Sequence, residues 1–189
     1  MPDSSLSTPD QIYQLKITLV GSKPPIWRRV EVSADTTLST LHRIIQVAMG
    51  WYDYHLHQFT VDGVIYGIPH PNDFVEVHNE RLVPLHQVVT GSKMKFSYQY
   101  DFGDNWEHTI LVEKVLSPAE GVVYPRCISG KRACPPEDCG GIYGYTDFLE
   151  AISTPDHPAH AEMLEWSGGS FDPEAFDCDH VNDVLQRLA

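Results

Sequence analysis

The chain of 189 residues is 42% hydrophobic and 11% aromatic, which is enough apolar material for one packed domain and too much for a disordered chain. Its 26 acidic and 13 basic residues give a formal net charge of -13, and a field of this sign opposes approach to phosphate backbones and anionic membranes. No apolar run reaches the ~20 residues that a membrane-spanning helix needs. We therefore expect no membrane partner and disfavour nucleic acid, whereas a basic protein or a small cationic ligand would suit such a surface.

The first ten residues, "MPDSSLSTPD", are polar and rich in Ser and Pro, which predicts a flexible N-terminal tail (residues 1–10) and not a secretory signal. A chain without an export signal is expected in the cytoplasm, where cysteines stay reduced. Residues 11–189 are predicted to form a single α+β domain. That domain is rich in strands to about residue 116 and rich in loops and helices after it.

The first elements are a hairpin and a helix. Apolar and polar residues alternate from Ile12 to Val20, which predicts a half-buried strand, and "GSKPP" turns the chain into a second strand from Ile26 to Val32. An Asp-Thr-Thr run at residues 35–37 predicts a helix N-cap. Apolar residues at helical spacing from Leu38 to Met49 predict an amphipathic helix that ends at Gly50.

Strands dominate the middle of the chain and helices its last third. Further strands are predicted at His55–Val61, Val64–Ile68, Met94–Tyr100 and Trp106–Val112, and short helices at Thr146–Ile152, His160–Trp166 and His180–Leu188. The segment Leu82–Val89 has no clear pattern. This order predicts an α+β fold, in which N-terminal hairpins form a mixed or antiparallel sheet covered by one amphipathic helix and the short C-terminal helices.

Two histidines are candidate catalytic residues. His57 and His108 each lie on the apolar face of a predicted strand, where a lone histidine is usually a hydrogen-bonded core residue. Two of them on neighbouring strands, with Asp101 close by, could instead act as a general acid and base. The candidate catalytic set is therefore His57, His108 and Asp101.

The stretch "YDFGDNWEH", residues 100–108, contains the Asp-Phe-Gly triplet that holds a metal in protein kinases, but the rest of the kinase apparatus is missing. A turn explains it better, because Gly103, Asp104 and Asn105 tolerate positive φ. Aromatic and acidic side chains here predict a binding face. Its candidate residues are Tyr98, Tyr100, Asp104 and Trp106.

Three cysteines, Cys127, Cys134 and Cys139, have the spacing C-x6-C-x4-C. The x4 pair fits a zinc site and the x6 spacing does not, and a redox C-x-x-C is absent. A zinc site, a disulfide and a loop stiffened by two prolines with reduced thiols all remain open, and the loop is favoured. Zinc is the one cofactor considered, with a fourth ligand from Cys178, Asp179, His180 or His108.

Several ordered stretches together resemble the Ri-plasmid ORF-3-like family, some of whose members carry the label of resolvase. They are "YQLKITLVGSKPPIWRRVEV", "LHRIIQVAMGWYDYHLHQF", "YDFGDNWEH", "CPPEDCGGIYGY" and "FDPEAFDCDHVN", and the resemblance runs from about Gln11 to Leu188. It implies an α+β domain without an established activity. A resolvase role conflicts with the residues, since the chain has few arginines, an acidic balance and no basic recognition helix.

The positions that match the family pattern are Pro25, Trp27, Arg28, Trp51, His55, His57, Phe59, residues 100–108, Cys127, residues 134–141, Tyr145 and residues 171–182. At Cys178 the family pattern implies an aliphatic residue. A site of four cysteines is therefore not expected as a family trait, and three cysteines with a His or Asp are the better ligand set.

We favour a non-catalytic binding or interaction module of the plasmid or mobile-element type. The alternatives are a metalloprotein or small hydrolase-like enzyme that uses His57, His108 and acidic residues, and, last, a resolvase-associated DNA-processing protein. The enzyme hypothesis predicts that both histidines converge on a concave pocket with the acids. The module hypothesis predicts that both are buried and paired with backbone, leaving an exposed aromatic patch elsewhere. Oligomeric state stays open.

Overall fold

A computed structural model describes residues 10–187. Residues 1–9 of the predicted tail, and Leu188 of the last predicted helix, lie outside the described residues. Within the described range the strands are β1 (Ile12–Leu19), β2 (Trp27–Ser33), β3 (His57–Val61), β4 (Val64–Gly67), β5 (Val77–Asn79), β6 (Lys95–Tyr100), β7 (Trp106–Leu116) and β8 (Arg126–Lys131). They form one sheet in the order β5-β4-β3-β6-β7-β1-β2-β8. Among the strands of the described residues only β4 and β5 pair in parallel, so the predicted mixed sheet of an α+β fold is confirmed.

The helices of the described range are α1 (Leu38–Met49), α2 (Leu85–Val88), α3 (Gly141–Ser153), α4 (His160–Trp166) and α5 (Cys178–Leu185), with a short 3₁₀ turn at Glu80–Leu82. α1 has the predicted bounds because its ends carry strong signals. The Thr37 side chain accepts a hydrogen bond from the backbone N–H of Thr40. Gly50 ends the helix with φ 105, a conformation that favours glycine. None of these helices is long and apolar enough to cross a membrane.

The sheet buries one face under α1 and exposes a polar face on the other side. Tyr98 pairs with His108, which pairs with Leu19, and all three are buried on the covered face. The opposite face carries ion pairs, such as the Arg29 Nη2 to Glu113 Oε1 contact of 2.9 Å. This one-sided burial is usual for sheets built of antiparallel pairs.

Arg28 connects the sheet to α1 from inside the core. Its Nε donates to the Ala48 carbonyl at 2.6 Å, and its Nη1 donates to the carbonyls of Trp27 and Lys131 at 2.9 and 3.0 Å. The guanidinium also lies 4.1 Å from the centre of the Phe176 ring. Because only 1% of the residue is exposed, burial lowers its pKa, and these carbonyls and the ring replace the lost water.

Several elements differ from the predictions. β5 and β8 were not predicted, since both are short and neither shows apolar alternation, and the unclear segment at 82–89 contains α2. β3 begins at His57 and not at His55, and α3 begins before Thr146, at Gly141. In the 101–105 turn the positive φ values belong to Asp101 and Asn105, so of the three residues expected to tolerate positive φ only Asn105 adopts it.

Candidate functional site

One histidine and three carboxylates converge beside the end of β6, and we call His55, Asp101, Glu137 and Asp138 the acidic centre. His55 Nε2 lies 3.1 Å from Asp138 Oδ1, 3.7 Å from Asp101 Oδ2 and 3.9 Å from Glu137 Oε2. Although 28% of the His55 side chain is exposed, Nε2 itself is buried and has no hydrogen-bond partner among the described residues. Ligand atoms of His55, Asp101 and Asp138 all lie within 4.8 Å of one another.

Local hydrogen bonds orient the Asp101 carboxylate. Asp101 follows β6 with φ 54, and its backbone N–H donates to the Leu56 carbonyl at 2.9 Å. Its Oδ1 accepts from the Gly103 N–H at 2.8 Å, as in an Asx turn. The second oxygen, Oδ2, is therefore the one that faces His55.

Glu137 is held in the same way by two tyrosines. Its Oε1 accepts from the Tyr100 hydroxyl and from the Tyr52 backbone N–H, each at 3.0 Å. The Tyr100 hydroxyl in turn accepts from the Tyr54 N–H at 3.0 Å. Burial and the Glu137 carboxylate raise the pKa of Tyr100, so it stays a protonated donor. Oε2 of Glu137 lies 3.4 Å from this hydroxyl and 3.9 Å from His55 Nε2.

Glycines bring the loop of Glu137 and Asp138 against the 101–105 turn. The Gly140 N–H donates to Asp104 Oδ2 at 3.0 Å. A Cβ at Gly141, which has φ 68, would overlap the Asp104 carbonyl, and a Cβ at Gly144 would overlap the Cys139 carbonyl. Asp104, a predicted binding residue, therefore positions the loop that carries the acids.

Two exposed tyrosines flank the acidic centre. Tyr52 and Tyr54 are 70% and 73% exposed, and their rings stack with centroids 5.6 Å apart. The buried Tyr100 ring meets His55 edge-on at 5.8 Å. The predicted aromatic-acidic character is present here, although Tyr98 and Trp106 are not part of it.

Tyr98 and His57 belong instead to a buried network around a pair of stacked histidines, His42 and His57. The Tyr98 hydroxyl accepts from Gln46 Nε2 at 3.0 Å and so donates its own proton to His42 Nδ1 at 2.8 Å. His42 Nε2 then carries the ring hydrogen and donates to Asp53 Oδ1 at 2.9 Å. Burial and the neighbouring His57 lower the pKa of His42 to about 4, which fits this neutral tautomer.

His57 is paired with a buried acid. Its Nε2 lies 2.9 Å from Glu80 Oε2, and the two side chains are 5% and 2% exposed. Ligand atoms of His42, Asp53 and His57 fall within 4.8 Å of one another, but the hydrogen bonds above already use those of His42 and Asp53. His57 also lines an apolar-walled cavity of about 580 Å³, and His108 does not.

His108 and Trp106 lie in the core, each 1% exposed. Neither the ring nitrogens of His108 nor the Nε1 of Trp106 make a well-aligned hydrogen bond among residues 10–187, although the backbone of Tyr98 and Trp106 lies close to the His108 ring. Trp51 meets the His108 ring edge-on at 5.3 Å, and burial lowers the pKa of His108 to about 4. His57, His108 and Asp101 are thus not brought together: each has a different setting.

The cysteines do not gather around one point. Cys127 lies in β8, where its Sγ contacts the Ser129 carbonyl at 3.6 Å, and Cys178 Sγ contacts the Cys127 carbonyl at 3.2 Å. In the described chain, the groups of three or more close ligand atoms contain no sulfur. Burial raises the pKa of Cys134, and raises those of Cys127 and Cys139 to about 12. All four cysteines are free thiols.

A family model described as plasmid pRiA4b ORF-3-like protein matches residues 11–180. The chain belongs to the plasmid pRiA4b ORF-3-like family. The resemblance drawn from the sequence motifs is therefore confirmed. Within this ORF-3-like family, the chain is 41% identical over 181 residues to the uncharacterized protein y4hQ of Sinorhizobium fredii (strain NBRC 101917 / NGR234), covering 94% of this chain and 92% of that protein.

A solved structure shares the ORF-3-like fold. The crystal structure of MM3350 from Methanosarcina mazei Go1, a protein of unknown function, matches with a TM-score of 0.82 and 38% identity, over 91% of this chain and 98% of that chain. The descriptions of both relatives assign no activity, so the activity of the ORF-3-like chain is unestablished.

The sequence motifs indicated Asp101, Tyr100 and Asp104 as site residues but not the residues around them. His55 stood in a family motif without being a candidate, and Glu137 and Asp138 sit between the cysteines of "CPPEDCGG". Two acids at the tip of a Pro-stiffened loop were the signal that could have found them. His42, Asp53 and Glu80 offered no comparable signal, because they are far apart in sequence.

Proposed function

We propose that this protein is a non-catalytic binding module whose acidic centre holds a divalent metal ion, with Zn²⁺ the preferred ion. The observation that carries the proposal is His55 Nε2. It is buried, lacks a hydrogen-bond partner among the described residues, and is surrounded by carboxylate oxygens of Asp101, Glu137 and Asp138 at 3.1 to 3.9 Å.

The geometry of the contact to Asp138 favours a shared cation over a direct bond. His55 Nε2 and Asp138 Oδ1 are 3.1 Å apart, yet the two atoms are not aligned for a hydrogen bond. Two ligands that each lie 2.0–2.2 Å from one zinc ion are themselves separated by roughly 3 Å. In an ordinary ion pair, the N–H of His55 would point at one carboxylate. The arrangement is better explained by a metal ion that lies between the His55 nitrogen and the carboxylate oxygens.

The donor set indicates the kind of ion. One imidazole with carboxylates suits a transition metal such as Zn²⁺ or Mn²⁺, whereas Ca²⁺ and Mg²⁺ prefer all-oxygen sites. Asp101 has one oxygen fixed by a hydrogen bond and one toward His55, and both oxygens of Glu137 are held by the Tyr100 hydroxyl at 3.0 and 3.4 Å, which preorganises the two acids as ligands. We therefore propose that zinc binds at the acidic centre and not at the three cysteines that the sequence suggested.

The exposed tyrosines favour a second candidate function, recognition of a basic protein. Tyr52 and Tyr54 form a stacked aromatic pair beside the carboxylates, and a Lys or Arg side chain over such a ring gains a cation–π contact. The net charge of -13 supports a basic partner and disfavours nucleic acid. A cytoplasmic location, where thiols stay reduced, remains our expectation.

Calorimetric titration of chelator-treated protein with Zn²⁺ and Mn²⁺ tests the metal proposal. We expect one equivalent of Zn²⁺ to bind, and His55→Gln to weaken binding at least ~100-fold because it removes the only nitrogen ligand. His78→Gln is the matched control, since His78 also lies near a carboxylate, 3.8 Å from Glu76, but on the exposed surface. Equal affinity of wild type and His55→Gln would refute the site.

A further inference from the structure

A small pocket lies between the β1–β2 turn and α3, and we call it the turn pocket. Residues 21–24 form one wall, α3 contributes Tyr145 and Thr146, and Arg132 follows the end of β8. Its volume is about 210 Å³, below the ~300–1,000 Å³ of pockets that hold drug-sized ligands. None of its lining residues belongs to the acidic centre, so a ligand of the turn pocket is independent of the proposed function.

The charge of the turn pocket is opposite to that of the chain. Of the described residues that line it, Lys23 and Arg132 are cations and none is acidic. The whole chain carries 26 acidic against 13 basic residues, so two cations without a lining acid are unusual here. The local field therefore favours an anion.

Two buried donors in the turn pocket lack partners. Arg132 and Tyr145 are 6% and 4% exposed and lie close to each other, yet Arg132 Nε and the Tyr145 hydroxyl make no well-aligned hydrogen bond to a described residue. Buried polar atoms in native proteins almost always have a partner, so an orphaned pair on one pocket wall points to a missing acceptor. Arg132 also adopts φ 70, a strained conformation for a residue with a side chain.

The neighbours of these donors leave them available. Glu174, which is 59% exposed, lies 2.9 Å from the Nη1 of Arg132, and the Nε of Arg132 has no partner among the described residues. Burial raises the pKa of Tyr145 to about 12, although the nearby Arg132 cation opposes this, so the phenol remains a protonated donor. A guanidinium N–H, a phenol O–H and an ammonium are all donors, and the group that satisfies them must be an acceptor.

We propose that the turn pocket binds a small oxyanion, such as a phosphate group or a carboxylate, through Arg132, Tyr145 and Lys23. Its size admits the anionic group and excludes a large body, so the ligand is inorganic or presents its anion at one end. Arg132 is buried and Lys23 is exposed, so one cation of the pocket is shielded from water and the other is open to solvent.

Titration of the full chain with sodium phosphate and with sodium acetate, in a chloride buffer free of other oxyanions, tests the inference. Calorimetry or amide NMR shifts at residues 21–23 and 145–146 report binding. We expect saturable phosphate binding, weakened about tenfold by Tyr145→Phe, which removes one hydroxyl and keeps the ring, and weakened further by Lys23→Gln. Tyr143→Phe, on the exposed side of α3, is the matched control and should bind as wild type does.

The two ligands distinguish the sources of the anion. Stronger binding of acetate than of phosphate would assign the pocket to carboxylates and still support an oxyanion site. Absence of saturable binding of both anions by the wild type would overturn the inference, and so would equal affinities of the wild type and Tyr145→Phe. A folded Tyr145→Phe protein is expected, since the ring packing is kept.

Discussion

The imidazole rings of His42 and His57 lie face to face, with centroids 3.4 Å apart and planes 3° apart. Two charged rings at this distance would repel, so the stack requires that at least one ring is neutral. His42 fulfils this, because burial and His57 lower its pKa to about 4. His57 faces the buried carboxylate of Glu80 at 2.9 Å, so the stack is part of a polar network inside the core.

Replacing His57 should destabilise the protein through Glu80. His57→Phe keeps a flat ring on His42 but leaves Glu80 buried without its partner, and breaking a buried pair in this way costs about 3–5 kcal/mol. Urea unfolding measures the loss. The double variant His57→Phe/Glu80→Leu should recover most of it, and a double variant as unstable as the single one would show that the pair is not the cause.

Acid should destabilise the protein through His108. Its pKa falls from an ordinary 6.5 to about 4 in the folded state, so the unfolded state binds the proton first. The stabilisation is complete above pH 6.5 and is lost as the pH falls toward 4, by about 3 kcal/mol from this residue. Unfolding free energies measured from pH 7 to 4 should fall less steeply for His108→Phe than for wild type. Parallel curves for the two proteins would contradict the burial argument.

Gly144→Ala should disturb the loop of the acidic centre. The added Cβ would overlap the Cys139 carbonyl, and the loop must move or the helix start must shift, at about 1–3 kcal/mol. We expect a lower Tm and weaker Zn²⁺ binding, since Asp138 precedes Cys139 directly. Tyr143→Ala, 84% exposed on the same helix, should change neither quantity. An unchanged Tm for Gly144→Ala would mean that the loop accepts the methyl group.

The cysteines are expected to be dispensable for metal binding. The close groups of ligand atoms in the described residues contain no sulfur, so the cysteines are not arranged around a common point as zinc ligands must be. Serine at each position in turn should leave the zinc content of the purified protein unchanged, as measured by elemental analysis. Loss of zinc in any of these variants would show that the cysteine loop, and not the acidic centre, binds the zinc ion.

The sequence predicted best the elements whose ends carry capping residues or whose apolar residues alternate. Thr37 and Gly50 bound α1 at its predicted residues, and strand alternation located the β6–β7 hairpin. β8 was not predicted because "RCISGK" has no apolar alternation and because its pairing with β2 is a long-range contact.

The candidate site was predicted only in part for a similar reason. Alternation placed His55 on the same strand face as His57, but β3 begins at His57 and His55 turns away toward Asp101. Glu137 and Asp138 reach His55 only because the Gly140–Gly141 loop docks on Asp104, a contact that local patterns do not encode. The turn at residues 101–105 identified Asp101 in the sequence. Its neighbours His55, Glu137 and Asp138 are brought to it by tertiary packing, which the sequence pattern does not show.

Anomalous diffraction from crystals grown with Zn²⁺ tests the metal site most directly, since it locates the ion independently of affinity. We predict one strong zinc peak between His55 Nε2, Asp101 Oδ2 and Asp138 Oδ1, the three atoms that the structure brings together around an unpartnered nitrogen. A zinc peak beside Cys127, Cys134 or Cys139, or an acidic centre without zinc, would contradict the proposed site.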